Sequence, residues 1–113
     1  MREDGKIDYV EFPAGDLPAA KSFYAQAFGW TFTDYGPAYA AMAEGLDGGF
    51  NADAADQAAK PLVILFAHAL EAMEAKVRAA GGTITRPSVS FPGGRRFHGK
   101  EPRGNELGVF SEG

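Results

Sequence analysis

The chain has 113 residues, 45% of them hydrophobic and 12% aromatic, with fifteen acidic and eleven basic side chains and a formal charge of −4. That length holds one compact domain, or two small halves sharing a core, and the apolar content excludes disorder. No cysteine is present, which excludes a disulfide framework and a thiolate zinc site and fits a reducing interior.

The charge is unevenly spread. Residues 1–59 carry ten acidic and three basic side chains, residues 60–113 five acidic and eight basic. The basic half is scattered apart from Arg95-Arg96, and the pI is about 5.1, so no nucleic-acid stripe is expected. The opening MREDGKIDYV has no apolar h-region and reads as no signal peptide. No apolar run approaches the roughly 20 residues that span a membrane, so the expectation is a cytoplasmic protein with no membrane partner.

In chain order, Ile7 to Phe12 alternates apolar and other side chains and predicts a strand. Asp16 is a good N-cap, Pro18 is tolerated in a first turn, and Leu17, Ala20, Phe23, Tyr24 and Phe28 recur at helical spacing. A helix over 17–28 is therefore expected, closed by Gly29. Trp30 and Phe32 alternate with threonines and predict a strand. Tyr39 to Met42 and the glycine-rich Gly45 to Phe50 predict two more.

Asn51 to Lys60 is polar, alanine-rich and unpatterned, and reads as a linker. Pro61 to Ala67 is a continuous apolar run, as in a strand buried on both faces. Leu70, Met73, Val77 and Ala80 mark a second amphipathic helix, with His68 ahead of it as a cap and Gly81-Gly82 as its stop. Thr83 to Ser90 predicts a strand that Pro87 confines to an edge or a bend. Phe91 to Phe110 predicts a hairpin around the turn cluster Glu101–Asn105.

The two halves repeat: strand, helix, glycine stop, three strands. Tyr9 to Gly29 spans 20 residues and Leu62 to Gly81 spans 19. One such unit cannot bury its apolar sheet face alone, so two must pair, and curved sheets paired in that way enclose a cavity. The expected architecture is α+β. A single domain over 1–113 is built of module 1 (about 6–51), a linker (52–60) and module 2 (about 61–112).

The stretches IDYVEFPAGDLPAAKSFYAQAFGW, LEAMEAKVRAAGG and GGRRFHGKEPRGNELGVF resemble the vicinal oxygen chelate superfamily of glyoxalase I, bleomycin and fosfomycin resistance proteins and extradiol dioxygenases. The resemblance implies two tandem βαβββ modules forming a cupped eight-stranded mixed sheet, and a homodimer. It also implies a divalent metal held by strand residues. Carried over by position, those ligands fall on Tyr9, Leu62 and Gly108, none of which supplies the imidazole or carboxylate such metals require. No metal and no other cofactor is therefore expected.

Strand alternation from these positions turns Glu11, Ile64, Glu106 and Phe110 inward, and the resemblance implies that the hairpin positions Arg96 and His98 line the pocket, so the nominated ligand-binding lining is Tyr9, Glu11, Phe50, Leu62, Ile64, Arg96, His98, Glu106 and Phe110. An apolar pocket with a few convergent polar groups suits a small molecule. Arg96 is the natural contact for a carboxylate or enolate, whereas Arg95 is expected on the solvent face. Glu11, His98 and Glu106 are the candidates for acid–base catalysis, against the plainer reading of His98 as a structural histidine and of Glu106 as its turn's cap or the partner of Arg96.

Three functions follow as expectations. The first is a metal-independent member of the superfamily binding a small anionic or aromatic metabolite in the cup between modules. The second is a glyoxalase-like lyase, or another metal-dependent enzyme of the superfamily, with its ligands displaced. The third is a non-catalytic interaction domain whose cup is filled by Trp30, Tyr9 and Phe50.

Overall fold

Asp16 sits in extended backbone and its side chain accepts the Ala19 N–H at 3.0 Å, satisfying one of the free amides that open a helix. Helix α1 (Leu17–Phe28) follows with Pro18 in its first turn and ends where Gly29 turns left-handed at φ 74°, its N–H returning to the Ala25 carbonyl. In the computed structural model, which describes residues 2–112, this helix lies between strands β1 (Ile7–Pro13) and β2 (Thr33–Asp34). Strands β3 (Tyr39–Glu44) and β4 (Leu46–Asn51) complete the first module.

The second module repeats the order with β5 (Leu62–Phe66), α2 (Leu70–Ala79), β6 (Thr83–Phe91), β7 (Gly94–Lys100) and β8 (Glu106–Ser111). Within each module the first strand pairs parallel with the last, and the remaining neighbours are antiparallel. The strand orders are β2-β3-β4-β1 and β5-β8-β7-β6. The fold is α+β with eight strands of mixed pairing and two helices, as the internal repeat requires. Among the described residues, no helix is long and apolar enough to cross a membrane.

Each helix covers one sheet face. Against α1, the residues Phe12, Ala40 and Phe50 pack with Leu17, Tyr24, Trp30 and Phe32, and Trp30 stacks on Tyr24 at 4.7 Å. Against α2, the residues Leu65, Ile84, Phe97, Leu107 and Val109 pack with Leu70, Met73 and Val77. The opposite faces carry the polar side chains described below.

Several expectations change. Trp30 and Phe32 pack in the first helix-side core, so β2 shrinks to two residues. β5 is not buried on both faces, because Val63 is 39% exposed. His68 does not cap α2: its backbone N–H and ring both meet the Asp4 carboxylate at 2.8 Å, and Ala69 is the N-cap without a side-chain bond. β6 is the edge strand, with register shifts on both sides of Arg86, as expected of a strand containing Pro87.

The compact units also differ from the module boundaries read in sequence. One is Tyr9–Leu62; the other joins the residues up to Asp8 to those from Val63 on. The reason is local pairing: Gly5 N–H donates to the Phe66 carbonyl at 2.9 Å, and Phe66 N–H to that of Lys6 at 3.2 Å. Arg2 then bridges Asp8 and Glu112.

Candidate functional site

In the first module, the register places Glu11 beside Gly49, Ala41 across from Gly49, and Tyr39 across from Asn51. Paired strand residues share a face, so Tyr9, Glu11, Tyr39, Gly49 and Asn51 all lie opposite α1. Glu11 is 5% exposed. Its Oε2 accepts from the Tyr39 hydroxyl at 3.1 Å and its Oε1 from Asn51 Nδ2 at 3.5 Å. The Tyr39 and Tyr9 hydroxyls are hydrogen-bonded to each other.

Asn51 is oriented by its own turn. Its Oδ1 accepts the Asp53 N–H at 2.9 Å, which leaves Nδ2 to donate to Asp56 at 2.9 Å and to Glu11. Burial pushes the Tyr39 phenol well above its ordinary value near 10, and the nearby Glu11 charge and the Tyr9 hydrogen bond add to the shift. Tyr39 is therefore a protonated donor at neutral pH.

In the second module, Arg96 is in register with Phe110, His98 with Gly108, and Ile64 with Gly108 on the other side. These residues, with Glu106, lie on the face opposite α2. Arg96 is 8% and His98 3% exposed. The Arg96 guanidinium lies over the Phe91 ring at 5.6 Å. Glu106 accepts from the Thr85 hydroxyl at 2.8 Å, and its Oε2 is 3.8 Å from His98 Nδ1. Arg86 is in register with His98 from β6.

The residues nominated from sequence thus fall on two polar sheet faces, one per module, with one exception. Phe50 is in register with Phe12 and Ala40 and is buried under α1, not on the Tyr9 and Glu11 face. A one-residue error in the phase of a glycine-rich strand reverses every side chain, and Gly48-Gly49 gives alternation nothing to read. With Trp30 and Phe50 both in that core, they do not fill a cup, which removes the packing expected of the filled interaction domain. Arg95 is half-buried and turned toward α2, where it pairs with Glu71.

Four contributors escaped the sequence reading: Tyr39, Asn51, Gly49 and Thr85. Tyr39 stood in a strand of alanines, and only its antiparallel register with Asn51 brings it beside Glu11. Asn51 had a readable signal, since Asn-x-Asp begins an Asx turn. That turn makes the supposed linker ordered: the Gln57 side chain donates to the Ala14 and Asn51 carbonyls at 3.1 and 2.8 Å.

The positions that would hold the superfamily's divalent metal do not fit one. Tyr9 offers a phenol hydrogen-bonded to Tyr39, Leu62 an alkyl chain and Gly108 no side chain. Among the described residues, no three His, Asp or Glu side chains are grouped to hold an ion.

Solved structures share the fold at low identity. An NAD-dependent benzaldehyde dehydrogenase from Legionella pneumophila is 16% identical with a TM-score of 0.76, over 93% of this chain and 98% of that one. A glyoxalase/bleomycin resistance protein/dioxygenase superfamily member from Vibrio splendidus 12B01 is 14% identical with a TM-score of 0.70, over 95% and 97%. The Mn(II)-bound glyoxalase from Novosphingobium aromaticivorans is 23% identical with a TM-score of 0.67; it covers 99% of this chain, which spans only 40% of its length. No curated protein matches the sequence. The family model for the Glyoxalase/Bleomycin resistance protein/Dioxygenase superfamily matches residues 6–109, and the chain belongs to that superfamily.

Proposed function

We propose that this chain is a metal-independent member of its superfamily that binds a small organic molecule on its helix-free sheet faces, with Arg96 as the contact for an anionic group. The observation that carries this reading is the buried Arg96–His98 pair on a sheet face that α2 leaves uncovered. The guanidinium fork matches a carboxylate, which can accept from it through two oxygens at once. Ile64 and Phe110 share that face and supply apolar surface for an aromatic or alkyl body. A homodimer belongs to the same reading, and sedimentation equilibrium tests it.

The main test is a thermal-shift screen of carboxylate metabolites on wild type and Arg96→Ala, together with metal analysis after dialysis against Ni²⁺, Zn²⁺, Mn²⁺ and Fe²⁺. Carboxylates should stabilise wild type and not the variant, and no metal should be retained in stoichiometric amount. Stoichiometric metal in wild type would overturn the metal-free reading.

A second reading, a glyoxalase-like lyase working by acid–base chemistry, is favoured by the His98–Glu106 approach of 3.8 Å within a buried setting. Proton exchange at an acidic ligand carbon, lost in both His98→Ala and Glu106→Gln while binding persists, would select it over simple binding.

A further inference from the structure

Strand β2 keeps only two pairs with β3, Thr33 with Ala41 and Asp34 with Ala40. Just upstream, Trp30 and Phe32 pack into the core beneath α1, which leaves Thr31 and Thr33 on the other side of the chain. There the Thr31 N–H donates to Glu44 Oε2 at 3.1 Å, so a carboxylate takes the place of a strand carbonyl and the two chains diverge. The divergence opens a groove of about 300 Å³ along the outer edge of β3, lined by Thr31, Thr33, Tyr35, Ala41, Glu44 and Asp47 among others.

The groove has two unlike ends. Tyr35, 66% exposed, stands at one with Thr33 and Ala41. Glu44 and Asp47 stand at the other, where Gly45 turns the hairpin at φ 104°. Ala41 and Ala43 share one face between them, and their small side chains keep the floor low. From residue 41 to residue 44 the strand rises roughly 10 Å. Glu44 spends one acceptor position on Thr31, and a carboxylate has about four. No basic side chain lines the groove, and the unit Tyr9–Leu62 contains seven carboxylates and only two lysines, of which Lys21 is paired with Asp34 at 2.7 Å.

We propose that this groove binds a small arylalkyl cation, its ring against Tyr35 and its protonated nitrogen beside Glu44 and Asp47. The site is separate from the anion contact at Arg96, and neither depends on the other. Magnitudes decide that both ends must act. One exposed charge pair yields at most a few-fold in affinity, and aromatic stacking roughly threefold to tenfold. A cation without a ring holds one end only, and an aryl anion meets two like charges. The threonine hydroxyls add acceptors for an N–H donor, which favours a primary ammonium over a quaternary one.

The test titrates phenethylamine, ethylamine and hydrocinnamate into the whole chain, followed by amide NMR. Phenethylamine should shift Ala41, Ala43 and Asp47, ethylamine should bind about tenfold more weakly, and hydrocinnamate should leave these amides unmoved. Tyr35→Ala and Asp47→Asn alter exposed side chains, so both variants should keep wild-type amide dispersion. Tyr35→Ala should weaken phenethylamine by roughly threefold to tenfold and leave ethylamine unchanged. Asp47→Asn should weaken both amines about threefold. Absence of these shifts with phenethylamine, equal affinity for the two amines, or hydrocinnamate shifting the same amides as strongly would each overturn the proposal. So would phenethylamine affinity unchanged in both variants. Hydrocinnamate at Arg96 and His98 is read from other amides, and failure there defeats the anion reading and leaves this one standing.

Discussion

Tyr39 occupies the space that a side chain at Gly49 would need: a Cβ built at residue 49 lies 2.2 Å from the Tyr39 hydroxyl oxygen and 2.6 Å from that of Tyr9. The glycine is therefore a condition of the phenol chain. Two bulky rings from β1 and β3 meet above the strand between them only because that strand is bare at this point.

Gly49→Ala should accordingly break the site while leaving the helix-side core alone. The Tyr39 ring is anchored at its far end by Glu11 and cannot swing aside without losing that bond. Overpacking of this kind costs about 1–3 kcal/mol. Urea unfolding should show that loss, and Gly49→Ala combined with Tyr39→Leu should cost less than the sum of the two single changes. Strict additivity would mean that the ring and the glycine do not compete for the same space.

Tyr39 also predicts an alkaline limit. Its folded pKa is raised above the ordinary value near 10, with burial the largest cause, so the folded state binds a proton that the unfolded chain releases. Its contribution is complete below pH 10 and is lost progressively as pH rises beyond that. Phenolate absorbance should show one of the four tyrosines ionising only with unfolding. Tyr39→Phe should remove this pH dependence and, by taking a donor from the buried Glu11, cost about 1–3 kcal/mol at neutral pH.

How much of this was legible in sequence depended on whether the signal was local. Helix α1 runs from Leu17 to Phe28 as its cap, proline and glycine foretell, because all three act within a turn of the residues they govern. The face shared by Arg96, His98, Glu106 and Gly108 followed from the family resemblance, which placed Gly108, Arg96 and His98, and from alternation along β8, which added Glu106. The first module's site was not legible in the same way. Its parts come from β1, β3 and β4, and their meeting depends on cross-strand register, which Gly48-Gly49 leaves unmarked. His68 misled for a related reason. It stands where a cap belongs, but Asp4, 64 residues away, takes its N–H and its ring.

The Asp16 cap gives a prediction free of the site. Asp16→Ala leaves the Ala19 amide without its carboxylate acceptor and should cost about 1 kcal/mol, read by chemical denaturation. Asp16→Asn keeps an acceptor oxygen and should recover most of the loss. Equal losses in both variants would show that charge at the helix start, not the capping bond, is what matters there.

Asn51→Asp separates the amide's donor role from its shape. The variant keeps the oxygen that accepts from Asp53, but exchanges the Nδ2 donor for a third carboxylate beside Glu11 and Asp56. Two acceptors lose their hydrogen bond and gain a like charge, so a loss of roughly 1–3 kcal/mol at neutral pH is expected. Like charges raise carboxylate pKa values in the folded state. The folded variant therefore takes up protons more readily than its unfolded chain, and acidification toward the carboxylate range should narrow its gap to wild type. Asn51→Ala loses the same donor and the turn's acceptor as well, without adding charge, so its gap should narrow less on acidification than that of Asn51→Asp. A pH-independent loss in Asn51→Asp would mean that the three carboxylates do not interact, and that Asn51 serves the turn alone.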